Sequence, residues 1–183
     1  MADEDVIRNC SPTLAGIKTA SLFQAQFASE RELMRSVRSL NRRLAGKGLL
    51  VLPMRYSKGM ALLYLYRPKR LSRDLADSEA QRLLQELGYE SGSDEKCLAR
   101  LSRRLRRSGD FPHEIGLFLG YPPEDVRGFI ENKADNFKCV GTWKVYGDAE
   151  KAQKTFMLYR KCESVYRRQW SHGKTIEQLT VAV

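Results

Sequence analysis

Between residues 29 and 67 the spacing of apolar side chains changes its period, and that change limits the chain to mixed architectures. In 29–45, SERELMRSVRSLNRRLA, Leu33, Val37, Leu40 and Leu44 recur at helical spacing while Arg31, Arg35, Arg38 and Arg42 take the opposite side. Ser29 with Glu32 three residues later has the form of a capping box, and Gly46 and Gly48 supply a stop. Two strand-like runs follow, LLVLPMRY and MALLYLYR, joined by Ser57-Lys58-Gly59, a short glycine-containing link that predicts a β-hairpin. Pro53 has no amide hydrogen to give to a ladder, so the first of these strands is expected at an edge or with a bulge there. A two-sided helix beside an antiparallel hairpin, with no regular strand–helix–strand alternation elsewhere, predicts an α+β fold. The expected architecture is a small, mostly antiparallel sheet covered by several amphipathic helices.

Beyond the hairpin, residues 69–87 predict a short helix and then a longer one, ended by Gly88 and followed by the polar link ESGSD. Segment 94–107 is the most basic helix, with Leu98, Leu101 and Leu105 on one face and Arg100, Arg103, Arg104 and Arg107 on the other. Residues 112–119 and 123–131 predict two short helices, each opened by proline, at Pro112 and Pro122-Pro123. KCVGTWKVY at 138–146 alternates as a strand does. Asp148 is placed to cap a helix that keeps its apolar spacing through Tyr166, and the tail TIEQLTVAV is expected to add a final short strand.

A chain of 183 residues is expected to fold as a single domain, and with 42% hydrophobic and 30% charged residues it is neither disordered nor built for a membrane. Its longest apolar run, MALLYLY, is far short of the roughly 18 residues of a spanning helix. MADEDVIRNC lacks the basic start and apolar stretch of a secretory signal, so a cytoplasmic location is expected. Cys10, Cys97, Cys139 and Cys162 form no C-x-x-C pair, which argues against a zinc ribbon or thioredoxin-like motif and predicts free thiols. No phosphate-binding glycine loop, dinucleotide fingerprint, serine-hydrolase elbow or H-E-x-x-H is present.

The net charge of +10 and pI near 9.6 predict attraction to anions. The richest stretch chemically is FPHEIGLFLGYPPEDVRGFIEN at 111–132, where His113 follows Pro112 in an expected first helical turn that favours a neutral ring, able to act as base or metal ligand. Glu114 adjoins it, and the ordinary reading gives Glu114 a capping role and His113 a loop hydrogen bond. Glu124 and Asp125 open the next helix, where acids suit the dipole whatever the chain does. Cys10 precedes Ser11-Pro12-Thr13, an apparent helix start that would make its thiol more acidic; a buried apolar role is the plain alternative. Lys18, and Lys144 between Trp143 and Tyr146, are candidate counter-charges for an anion, or simply solvated lysines. The two arginine faces, 31–42 and 100–107, suit nucleic-acid phosphates or an acidic partner, or water alone.

CSPTLAGIK at 10–18, LYRP at 65–68, the 111–132 string and GTWKVYGD at 141–148 resemble the uncharacterised bacterial family called domain of unknown function 3793. The resemblance spans nearly the whole chain and brings no established activity or cofactor. It implies that Cys10, Thr13, Lys18, Arg67, His113, Glu114, Asp125, Asn132, Trp143, Lys144 and Tyr146 lie within the family's motifs, whereas the arginine faces do not. The 10–18, 111–132 and 141–148 segments are therefore expected to line a pocket for a small anionic or metal-containing ligand, with His113, Glu114 and Cys10 as reactive groups, and the alternative is a nucleic-acid or acidic-partner binding module that uses the two arginine-faced helices.

Overall fold

The structure, a computed structural model, describes residues 2–90, 92–107 and 111–182. Ser91 of the ESGSD link lies outside them. The chain divides into two compact units, Met1–Lys69 with Tyr159–Val183, and Arg70–Leu158.

In the first unit, helix α1 (Asp3–Leu14) leads through a turn to strand β1 (Ala20–Gln26), and helix α2 (Glu30–Leu44) leads to strands β2 (Leu50–Ser57) and β3 (Met60–Tyr66). The sheet is antiparallel in the order β1-β3-β2, so the hairpin expected from 49–67 supplies the central and one edge strand. Its turn is Lys58-Gly59, both in the left-handed region (φ 50° and 78°), the twist that suits a two-residue hairpin. Pro53 sits on edge strand β2, and the register shifts between Pro53 and Arg55. Edge and bulge thus coincide, because a residue without an amide hydrogen is tolerated where the ladder is interrupted. Strand β1 has no counterpart in the sequence reading above, although Phe23, Ala25 and Phe27 are buried and Gln24 and Gln26 exposed in strict alternation.

Alternate residues of the three strands, Phe23 and Ala25, Val51, and Ala61, Leu63 and Leu65, share one core with Val6, Ile7, Cys10 and Leu14 of α1 and the leucine stripe of α2. β3 is buried along nearly its whole length, which is why MALLYLY is a continuous apolar run rather than an alternating one. Ser29 caps α2 by accepting from the Glu32 amide at 3.2 Å, while the Glu32 carboxylate accepts from Ala28, one residue earlier than a capping box requires. The tail is not a strand. Thr175 and Gln178 form a capping box that opens a four-residue helix, Ile176–Leu179 (α9 in chain order), and Ile176 and Leu179 enter the core.

The second unit begins near the start of α3 (Pro68–Leu75) and contains α4 (Ser78–Glu86), α5 (Asp94–Arg106), α6 (Ile115–Phe118) and α7 (Pro123–Glu131). The helix expected over 112–119 is only four residues long, and His113 and Glu114 stand in the turn before it, closed by the Ile115 amide on the Pro112 carbonyl at 3.1 Å. Residues 138–146 are not one strand. They form a minimal hairpin of β4 (Cys139–Val140) and β5 (Lys144–Val145), because the chain reverses through Gly141, Thr142 and Trp143. Helix α8 (Ala149–Ser171) follows, with Asp148 accepting from the Lys151 amide at 3.0 Å. Its first half belongs to the second unit and the rest to the first. Among the described residues no helix is long and apolar enough to cross a membrane.

Candidate functional site

The second unit brings two of the predicted motifs together around a cleft of about 250 Å³. One wall is the 111–129 stretch, the other the β4–β5 turn. Tyr121 stacks on Trp143 with ring centres 4.7 Å apart, and Trp143 meets the edge of Phe156 at 4.6 Å. His113 lies 4.8 Å from the Phe129 ring and 6.3 Å from that of Phe111. Lining is mostly apolar and aromatic; His113, Asp125, Thr142 and Lys144 are its polar members.

Asp125 holds this arrangement. Although it sits in the first turn of α7, its carboxylate does not cap that helix. One oxygen accepts the Tyr146 and Gly147 amides, both at 2.7 Å, and the other accepts the Trp143 indole N–H at 2.7 Å. A carboxylate with three donors is a strong cross-link in a buried site, and Asp125 is only 3% exposed. It fixes the β5 end and the indole against α7, so it positions the wall of the cleft. Tyr146 packs over Gly128 of α7, where a Cβ would run into its ring, and burial raises its phenol pKa. Asn132 closes the same helix by donating to the Gly128 carbonyl at 2.8 Å.

Lys144 gives one ammonium hydrogen to the Ala134 carbonyl at 2.7 Å and stands 4.5 Å over the Phe137 ring. An ammonium has three hydrogens, so this anchoring leaves donors for a ligand. Glu114, 1% exposed, is not among the residues lining the cleft. It accepts from the Tyr89 hydroxyl at 2.7 Å and pairs with Arg104 at 3.0 Å; burial and this carboxylate together raise the Tyr89 pKa. Arg100 of the same basic helix donates to the Leu87 carbonyl at 3.1 Å and covers the Tyr89 ring at 5.1 Å. Two of the four arginines expected to face solvent therefore brace the second unit internally, while Arg103 and Arg107 are exposed.

The remaining candidates belong to the first unit. Cys10 lies inside α1, not at a helix start, because Ser11 and Pro12 continue the helix and the Ser11 hydroxyl bonds back to the Ile7 carbonyl. The thiol is fully buried, and burial pushes its pKa up to about 12, the reverse of the acidic thiol expected from the sequence. Thr13 and Ser21 share a hydrogen bond at 2.9 Å beside it. Lys18 stands 5.9 Å over the Tyr159 ring, and desolvation lowers its pKa to about 8. Arg67, 1% exposed, donates to the carbonyls of Thr13 and Leu14 at 2.8 Å, Val181 at 2.8 Å and Lys47 at 3.2 Å. Two of these acceptors end α1, so Arg67 caps the negative end of that helix.

Sequence reading missed the aromatic partners Phe111, Tyr121 and Phe129. All three lay within the 111–132 string, but only a fold could show which rings face one cavity. Among the described residues no three histidines, cysteines or acids are grouped to hold a metal ion.

A family model, described as protein of unknown function (DUF3793), matches residues 6–180. The chain belongs to this family. Neither a curated protein nor a solved structure matches it significantly.

Proposed function

We propose that the second unit of this DUF3793 member binds a small planar anion, such as an aromatic carboxylate, in the cleft between 111–129 and the β4–β5 turn. The observation that carries this reading is the combination of aromatic walls with one tethered cation: Phe111, Tyr121, Phe129 and Trp143 offer ring faces, and Lys144 offers a held ammonium. Stacking supplies burial and shape, and the ammonium supplies the charge preference. His113 is exposed at the cleft and offers a bound ligand a hydrogen-bonding imidazole. A metal-containing ligand would meet His113 as an exposed nitrogen donor at the cleft. Catalysis is not required by the arrangement.

The test is a titration of the intact protein with benzoate-type carboxylates and their neutral amides, followed by Trp143 fluorescence in a Trp170→Phe background. Carboxylates are expected to bind and quench, amides to bind about tenfold more weakly, and Lys144→Met to erase that preference. Equal binding of acid and amide, or no quenching by any ring-bearing anion at millimolar concentration, overturns the reading.

A further inference from the structure

Four of the five arginines of helix α2 lie on one line. Taking 100° per residue, Arg31, Arg35, Arg38 and Arg42 fall within a sector about 60° wide, diametrically opposite the buried Leu33, Val37, Leu40 and Leu44. All four are exposed, and among the described residues none of them has an ion-pair partner. Other arginines of the chain do have one: Arg43 meets Asp3 and Glu177, Arg104 meets Glu114, and Arg127 meets Glu86. Glu30 and Glu32 of α2 fall outside the arginine sector, and Glu32 is engaged with the Ala28 amide.

This pattern opposes the stability of the helix. Arg31 with Arg35 and Arg38 with Arg42 are like charges one turn apart, which repel, and Arg31 stands in the first turn, where the helix dipole disfavours a cation. A helix shaped for solubility alone would alternate signs on this face. An external polyanion relieves both penalties.

We infer that this arginine line is a docking surface for the phosphate backbone of a nucleic-acid duplex. From Arg31 to Arg42 the line runs about 16 Å along the helix axis, or roughly five base-pair steps at 3.4 Å each. Planar guanidinium forks match phosphate oxygens in pairs, which a line of lysines would not do. No aromatic residue interrupts α2, so the surface lacks the stacking platforms by which single strands are held, and the contact reads backbone rather than bases. A lipid surface is a poorer fit, because a helix lying on a bilayer inserts its apolar face, and that face of α2 is committed to the core. The inference is independent of the cleft.

The experiment is a fluorescence-anisotropy titration of the intact protein with a 25-bp DNA duplex and the equivalent RNA duplex across a salt series. Four phosphate contacts predict a log–log salt slope of about −3 to −4, a loss of roughly a hundredfold between 50 and 200 mM salt. The variant R31Q/R35Q/R38Q/R42Q is expected to lose at least tenfold in affinity. R31K/R35K/R38K/R42K, which keeps the charge, should recover part of that loss, and both variants are first checked for the wild-type circular dichroism spectrum. A control that removes four charges from α8, K151Q/R160Q/K161Q/R167Q, should bind within about twofold of wild type. Equal losses in α2 and α8 variants would mean attraction by net charge and sink the assignment, as would absence of duplex binding at 50 mM salt. Binding to vesicles of one-third phosphatidylserine that is lost with R31Q/R35Q/R38Q/R42Q, without duplex binding, would reassign the surface to a membrane.

Discussion

Arg67 gives its hydrogens to carbonyls at the end of α1, the turn after α2 and the tail, and these acceptors come from stretches far apart in sequence. Truncating it to Met strands buried carbonyls and is expected to cost about 3 kcal/mol or more, read by urea unfolding. Arg67→Lys should recover less than half, since one ammonium cannot reach a fork of separated acceptors. Glu177 makes a second prediction at this scale. Hydrogen bonding to Arg43 holds its carboxyl down at about 2, against an ordinary value near 4.5. A depressed folded pKa contributes stability that is present above the unfolded value and lost as pH falls through the folded one. Melting temperature should therefore drop between about pH 4.5 and 2, and Glu177→Gln, already lacking this contribution at neutral pH, should flatten that part of the profile. The contribution is small, because the pair is about one-third exposed and screened by water.

At the scale of elements, the hairpin turn depends on backbone conformation at two residues, Lys58 and Gly59. Gly59→Ala places a Cβ on a left-handed residue and should destabilise by about 1 kcal/mol in thermal unfolding, whereas Lys58→Asn is expected to be neutral or mildly stabilising. Elements whose signals are local were legible: α2 from its leucine stripe and Ser29, the hairpin from Lys58-Gly59, α8 from Asp148. The misread elements have separate causes. At 10–14 a proline imitates a helix start, yet α1 tolerates Pro12 in its interior and places Cys10 deep in the core. At 138–146 the alternation is real, but the chain turns at Gly141 against Phe156, a contact made by a residue fifteen positions away. At 175–179 a capping box outweighs the β-branched residues around it. The site divides in the same way. Residue types in 111–132 and 141–148 pointed to it, but Glu114's inward pairing with Arg104 and Asp125's hold on the β5 end depend on tertiary contacts that spacing cannot encode.

At the scale of the whole molecule, each compact unit carries one of the two tryptophans, Trp143 in Arg70–Leu158 and Trp170 in the unit made of the flanking segments. Single-tryptophan variants W143F and W170F therefore report the units separately. Helix α8 passes from one to the other without a break, and coincident denaturation midpoints are expected for the two probes. Separate midpoints would show that the two units unfold independently. The arrangement of the first unit has a further consequence, for the order in which the protein acquires structure as it is made. Leu14 and Arg67 leave the ribosome early, but the carbonyl of Val181 that Arg67 holds, and those of Glu177 and Thr180 that Lys47 holds, come only after residues 70–158 have been synthesised. The seam of the sheet-bearing unit therefore closes only after the intervening segment has been made, when the carbonyls of residues 177–181 reach Arg67 and Lys47.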